Sequence, residues 1–189
     1  MTNKSVAADL EIKERYLTDR KEGFRLLYQK YSDRILAVCR RYSSDSDEAL
    51  DCFQEAMLDI DRKFRSYEFQ GEGSLKRWMT RVTVNKIIDG LRKKARKEVV
   101  DFPGGSDNLV EPTPSYEETE SVPLEEMYRM IERLSPVKRA VFNMFCIEGY
   151  SHKEIGASLG ISEKGSSSLL SKARKELAGM VTEYLKRNK

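Results

Sequence analysis

One stretch limits how the rest of this chain can fold. From Lys97 to Pro123 it holds four of the five prolines, the pair Gly104-Gly105 and seven carboxylates, and after Lys97 no lysine or arginine. Proline removes a backbone donor, glycine weakens a helix, and like charges oppose collapse. The segment carries too little apolar surface to fold by itself and reads as a flexible acidic linker, residues 97–123. On either side the apolar residues recur with helical period, and no run alternates as a strand would. The expected fold is therefore all-α: two small helical domains joined by the linker, the C-terminal one containing a helix-turn-helix. The boundaries expected are an N-terminal extension at 1–20, a first domain at 21–96 and a second at 124–189. No internal repeat is visible.

Composition narrows the function. Of 189 residues, 39% are hydrophobic and 34% charged, as in a soluble chain with modest cores. No apolar run approaches the roughly 18 residues that span a bilayer. The start of the chain has no apolar segment of a signal peptide, so a cytoplasmic location is expected. Cys39, Cys52 and Cys146 form an odd set without close spacing, each among apolar neighbours, and read as buried, reduced packing residues. His152 is the single histidine, expected exposed in the first turn of a helix. A His-based metal site or a Ser–His pair has almost no material here. Neither cofactor, metal nor enzymatic activity is expected.

The first domain is polarised by charge. In Phe24 to Tyr42 the stripe Phe24, Leu27, Tyr28, Tyr31, Ile35, Val38 and Tyr42 marks the buried side of one long helix. Ser43-Ser-Asp-Ser-Asp47 breaks it and caps the next, roughly Asp47 to Phe64. There Leu50, Phe53, Met57, Ile60 and Phe64 form the apolar face, while Asp51, Gln54, Glu55 and Asp59 share another by the i, i+3, i+4 rule. Ser43 to Asp61 holds seven carboxylates and no base, whereas Arg62 to Lys97 holds twelve bases against three carboxylates. Net charge, only +3, hides this step. The acidic stretch suits a basic protein surface and the basic one suits phosphate. A loop, Tyr67 to Gly73, precedes a third long helix from Ser74 to Arg96.

Ser151-His-Lys-Glu154 is a capping box: the hydroxyl accepts from the first turn and the carboxylate reaches back. Ile155 and Leu159 face inward, Gly160 permits a tight turn, and small Ala157 is expected to let two helices approach. Ser162 caps a second helix through Leu169, Leu170, Ala173 and Leu177. Its polar residues Lys164, Ser166, Ser167, Ser168, Ser171, Lys172, Arg174 and Lys175 suit phosphates and groove edges. The spacing matches a DNA-reading helix pair, the alternative being an ordinary helical hairpin.

Taken together, Asp51-Cys-Phe-Gln54-Glu55-Ala-Met-Leu58, Trp78 to Arg92 and Tyr150 to Leu177 resemble, in order, three motifs of the extracytoplasmic-function sigma factors of the bacterial sigma-70 family. The similarity covers nearly all of Phe24 to Leu185. It implies that Asp51, Gln54, Glu55 and Asp59 dock on the clamp coiled coil of core RNA polymerase. It also implies that 74–96 melts promoter DNA and that the helix-turn-helix reads the −35 element, with polymerase contact extending to the flap. Phe69 and Asn85 fall where the family holds an extruded −10 base, by stacking and by edge hydrogen bonding. The alternatives are Phe69 as a core plug and Asn85 as a satisfied internal polar group. Trp78 reads as core in preference to a melting wedge. Lys76, Arg77, Arg81, Lys86, Arg92, Lys93 and Lys94 would follow phosphates. Where the family often carries Arg-Ser-Arg, this chain has Ser167-Ser168-Leu169, so no base preference is transferred.

A linker of 27 residues spans about 30 Å on average and nearly 90 Å stretched. Two promoter elements two turns of DNA apart lie roughly 70 Å from each other. The linker thus permits that separation and does not impose it. The partners implied are core RNA polymerase, promoter DNA and an anti-sigma factor, with a monomer expected when free. The competing readings are a stand-alone helix-turn-helix regulator and a protein-binding adaptor.

Overall fold

The computed structural model describes residues 4–97 and 121–188. Their secondary structure is helical, in two compact units. The expected linker lies outside the described residues except at its ends. Lys97 closes a helix, and Val122 is already buried in the second core, ahead of the boundary expected at 124.

The first unit is built on α1 (Lys4–Thr18), α2 (Arg20–Tyr42) as far as Arg40, α3 (Ser46–Phe64) and α4 (Ser74–Lys97) as far as Ile87, the remaining turns of α2 and α4 grouping with the second unit. Leu27, Ile35 and Cys39 of α2 meet Phe53, Met57, Ile60 and Phe64 of α3 and Leu75, Met79 and Val82 of α4. These positions recur every three to four residues, which puts each set on one side of its helix. Asp45 starts α3 by accepting from the amides of Asp47 and Glu48, one residue type that favours this cap. Leu50, expected inward, is 39% exposed, and Ala49 takes the buried place.

Residues 1–20 are no mere extension. Ile12 and Tyr16 of α1 enter the same core. Gly23 makes the crossing possible: a Cβ there would stand 2.2 Å from the Tyr16 Cα. Lys13 Nζ donates to the Phe64 and Arg65 carbonyls, both at 2.9 Å, placing a cation at the negative, C-terminal end of α3. Tyr16 Oη donates to the Asp61 carbonyl at 2.6 Å. Asp9, 1% exposed, accepts from Tyr31 Oη at 2.6 Å and Lys30 Nζ at 2.7 Å, so its charge is paired where it is buried. The mixed sequence of α1 has no strong apolar stripe, which is why periodicity left it outside the domain.

The second unit contains α5 (Leu124–Arg133), α6 (Pro136–Phe142), α7 (His152–Leu159) and α8 (Glu163–Arg187). Pro136 opens α6 in its first turn, where its missing N–H costs nothing. After α6 the chain widens into a π-turn, Asn143–Ile147, in which the Glu148 N–H reaches the Asn143 carbonyl at 3.0 Å. The helix expected through Leu177, α8, is 25 residues long and runs on to Arg187. Its residues Ala173, Leu177 and Val181 pack on Met130 and Leu134, and Tyr184 and Leu185 extend the stripe past the expected end. Lys138 on α6 pairs with Glu176 on α8 at 2.6 Å. Among the described residues no helix is long and apolar enough to cross a membrane.

Candidate docking and nucleic-acid interfaces

Asp51, Gln54 and Glu55 are exposed on the outer side of α3, opposite the buried Phe53 and Ile60. Two apolar side chains flank them, Leu50 and Leu58, the latter 60% exposed. Asp59 is half-buried and pairs with Arg62 one turn on. An acidic face with apolar margins can bind a basic, partly apolar helix, the margins excluding water from the charge pairs.

Glu55 has a partner that the sequence did not disclose. Its Oε2 lies 3.0 Å from Lys86 Nζ on α4. The hydrogen bond to Glu55 raises the Lys86 pKa above its ordinary value, against partial desolvation, with Glu55 and Asp59 charges adding. Lys86 was expected on phosphate and Glu55 on polymerase, so the two expected faces meet at this pair. Arg77, Arg81 and Asn85 are exposed at i, i+4, i+8 along α4, and Lys76 and Lys93 are exposed as well. Arg92 is half-buried. Of Lys94, only its place in α4 is described.

The loop before α4 is shaped by its own side chains. Ser74 Oγ lies 2.6 Å from Tyr67 Oη and accepts the Gln70 N–H at 3.1 Å. Gly71 at φ 91° and Gly73 at φ 68° take left-handed backbone that other residues rarely adopt. Arg77 Nη1 donates to the Glu72 carbonyl at 3.3 Å. Phe69 is half-buried, packed against the core from the rim. Trp78 sits with its ring centroid 5.0 Å from Tyr67 and 5.9 Å from Phe64, within an aromatic cluster. Asn85 is exposed, which removes the alternative of an internal polar group.

In the second unit both caps form as the residues dictate. Ser151 Oγ accepts from the Glu154 N–H at 3.2 Å, and Glu154 Oε2 from the Ser151 N–H at 2.9 Å. Ser162 Oγ accepts from the Gly165 N–H at 3.0 Å, and Gly160 turns the chain at φ 73°. The close approach falls one residue earlier than expected. Ala157 is exposed, whereas a Cβ on Gly156 would stand 2.8 Å from the Ile161 carbonyl.

Along α8, Lys164, Ser167, Ser171 and Arg174 are exposed, and Ser168, Lys172 and Lys175 are half-buried. Ser166 departs from the expected set: it is 0% exposed, with its Oγ 3.0 Å from His152 Nδ1. It ties the two helices together instead of facing a groove, because its place on α8 is turned toward α7. His152, expected exposed, is half-buried and stacks on Phe145, centroids 4.4 Å apart. The Arg174 guanidinium lies over the same Phe145 at 5.7 Å. No spacing rule could have linked residues so far apart.

Over the described residues, acidic face, basic helix, positive-φ loop and capped helix pair define a helical protein with exposed surfaces of opposite charge. Comparison with known proteins makes this specific. The Sigma-70 region 2 profile matches residues 27–97, and the Sigma-70, region 4 profile matches 124–177. The chain belongs to the sigma-70 family, in its extracytoplasmic-function group. It is 26% identical over 160 residues to the ECF RNA polymerase sigma factor SigE of Mycolicibacterium smegmatis, covering 84% of this chain and 61% of that protein. It is likewise 26% identical to the ECF RNA polymerase sigma factor RpoE of Cereibacter sphaeroides, covering 85% of this chain and 88% of that one. Among solved structures, the sigma factor RpoE in complex with the anti-sigma factor NepR from Bartonella quintana shares the fold. The TM-score is 0.52 at 21% identity, with 84% of this chain and 96% of that one covered.

Proposed function

We propose that this chain is an alternative sigma factor that binds core RNA polymerase and directs it to particular promoters. The observation that carries the reading is the side-by-side placement, on one compact unit, of an exposed acidic face at Asp51, Gln54 and Glu55 and an exposed basic face at Arg77 and Arg81. Residues 21–96 act as region 2. The face on α3 docks on the clamp coiled coil, with Asp59 at its edge, and α4 follows the DNA backbone through Lys76, Arg77, Arg81, Lys86, Arg92 and Lys93. Phe69, presented by the loop that Gly71 and Gly73 bend, stacks on an extruded −10 base, and exposed Asn85 bonds its edge or backbone. Unstacking costs a few kcal/mol, which stacking of about 1–3 kcal/mol and hydrogen bonds recover.

Residues 124–189 act as region 4, set against the flap. Lys164, Ser167, Ser168, Ser171, Lys172, Arg174 and Lys175 of α8 face the −35 groove. Ser166 has the different task of holding α7 and α8 together. The linker, 97–123, permits the spacing that the polymerase imposes. An anti-sigma factor is a third partner in this reading, and the cytoplasm, where polymerase and chromosome meet, is its place of work. No catalytic role is assigned to any residue.

The test is transcription by core polymerase on genomic fragments, with and without the chain. New start sites are expected. A general fall in transcription would identify a stand-alone regulator, and unchanged transcripts an adaptor. Asp51→Lys with Glu55→Lys should abolish holoenzyme assembly while the protein stays folded.

A further inference from the structure

Two side chains of α1 gather where α3 ends and the loop to α4 begins. Tyr16 stands edge-on to Phe64, ring centroids 4.8 Å apart, with its Oη 2.6 Å from the Asp61 carbonyl. Lys13 Nζ donates to the Phe64 and Arg65 carbonyls, and the same ammonium stands 5.3 Å from the Phe64 centroid and 5.9 Å from that of Tyr67. The Phe64 carbonyl also accepts the Tyr67 N–H at 3.1 Å, so one oxygen closes the turn and takes the lysine. Filling the core is the work of Ile12 and Tyr16 and needs no ammonium aimed at these carbonyls. We propose that Lys13 is a positioning residue for −10 recognition: it fixes the start of the loop at 65–73 and thereby sets Phe69 for an extruded base. This rests on the base-holding role of Phe69 given above.

The path from Lys13 to Phe69 is short and unbroken. Phe64 and Tyr67 stack with planes 9° apart and centroids at 5.8 Å, and Trp78 of α4 closes the cluster. Tyr67 Oη lies 2.6 Å from Ser74 Oγ, which accepts the N–H of Gln70 at 3.1 Å. Phe69 is thus held between two fixed residues, Tyr67 and Gln70. The Glu68 carboxylate, on the loop itself, acts on the same ammonium, raising a pKa that burial lowers.

Without that grip the loop is free to move, because Gly71 and Gly73 restrain it little. A loop that must be ordered when it closes on a base gives up part of the binding energy, and one already ordered keeps it. Bonds from a charged donor are roughly twice as strong as neutral ones, which suits one lysine to this task.

The test uses holoenzyme made with the full chain and single-stranded oligonucleotides of the non-template −10 strand of a promoter mapped as above. The strands are intact or carry one abasic position, moved along the element. The parent should lose affinity at one position, that of the extruded base, and Phe69→Ala should weaken binding of the intact strand. Lys13→Met keeps the apolar stem and should bind the intact strand about tenfold more weakly, as for one lost charged bond, and the abasic strand no worse than the parent does. Core polymerase affinity should not change. In the free chain the Gln70 amide should exchange slowly, and faster in Lys13→Met while core amides keep their rates. Asp9→Asn, which loosens α1 from Lys30 and Tyr31 away from the loop, should bind both strands like the parent.

Lys13→Met that binds the intact strand like the parent, or loses equally on both strands, would overturn the proposal. So would Asp9→Asn matching Lys13→Met, or a Gln70 amide that exchanges in the parent as in an open loop. A parent indifferent to every abasic position would remove the base-holding reading, and Gln70 exchange would still decide whether Lys13 orders the loop.

Discussion

Glu55 shows how one side chain can belong to two surfaces. Its side chain is 63% exposed although paired with Lys86, and an exposed pair is worth only about 0–1 kcal/mol. Glu55→Gln should therefore change the urea midpoint little while weakening polymerase binding by more than tenfold. A large loss of stability instead would make Glu55 a structural residue. The buried tyrosines of the first unit respond to alkali. Burial raises Tyr31 first, with the Asp9 hydrogen bond adding, and burial also raises Tyr16 and Tyr67. Above pH 10 the unfolded chain releases these phenolic protons before the folded one does, so stability present below pH 10 is lost as pH rises. Lys13, lowered by burial, has the opposite sign over the range below its ordinary value and blunts the fall. Urea midpoints at pH 9 and pH 11 check this, and equal values would contradict it.

Helix crossings rest on two glycines. At Gly23 and Gly156 an added methyl would meet backbone atoms at 2.2 Å and 2.8 Å, so nothing as mobile as a side-chain tip can give way. Gly156→Ala should cost about 1–3 kcal/mol, the usual cost of overpacking, and weaken −35 DNA binding with it. Gly23→Val should cost at least as much and lower the melting temperature by separating α1 from α2. If Gly23→Val melts like the parent, α1 is dispensable to the first core. By contrast the exposed Ala157 should tolerate serine with little effect in the same assay, within about 0.5 kcal/mol.

At the scale of the whole molecule, a net charge of +3 conceals the acidic α3 and the basic α4 and α8. Promoter binding by the holoenzyme should be strongly salt-dependent, each phosphate contact adding about 0.9 to the slope of log affinity against log salt. Arg81→Ala and Lys164→Ala should each lower that slope by roughly one unit, whereas Ser166→Ala should lower affinity by loosening α7 against α8 and leave the slope alone. Equal slopes for all four proteins would mean that neither Arg81 nor Lys164 meets phosphate.

Much of this was legible along the chain. Helices α2, α3 and α4, both serine caps, the Gly160 turn and the acidic face on α3 follow from rules that act within a turn or two. An amide finds its acceptor three or four residues away, and apolar side chains line up at the same interval. The docking of α1, the tie from Ser166 to His152 and the Glu55–Lys86 pair join residues far apart in sequence. Periodicity carries no record of which helix faces which. Those contacts came into view only with packing, where burial and shape choose among faces that the helical repeat leaves equivalent.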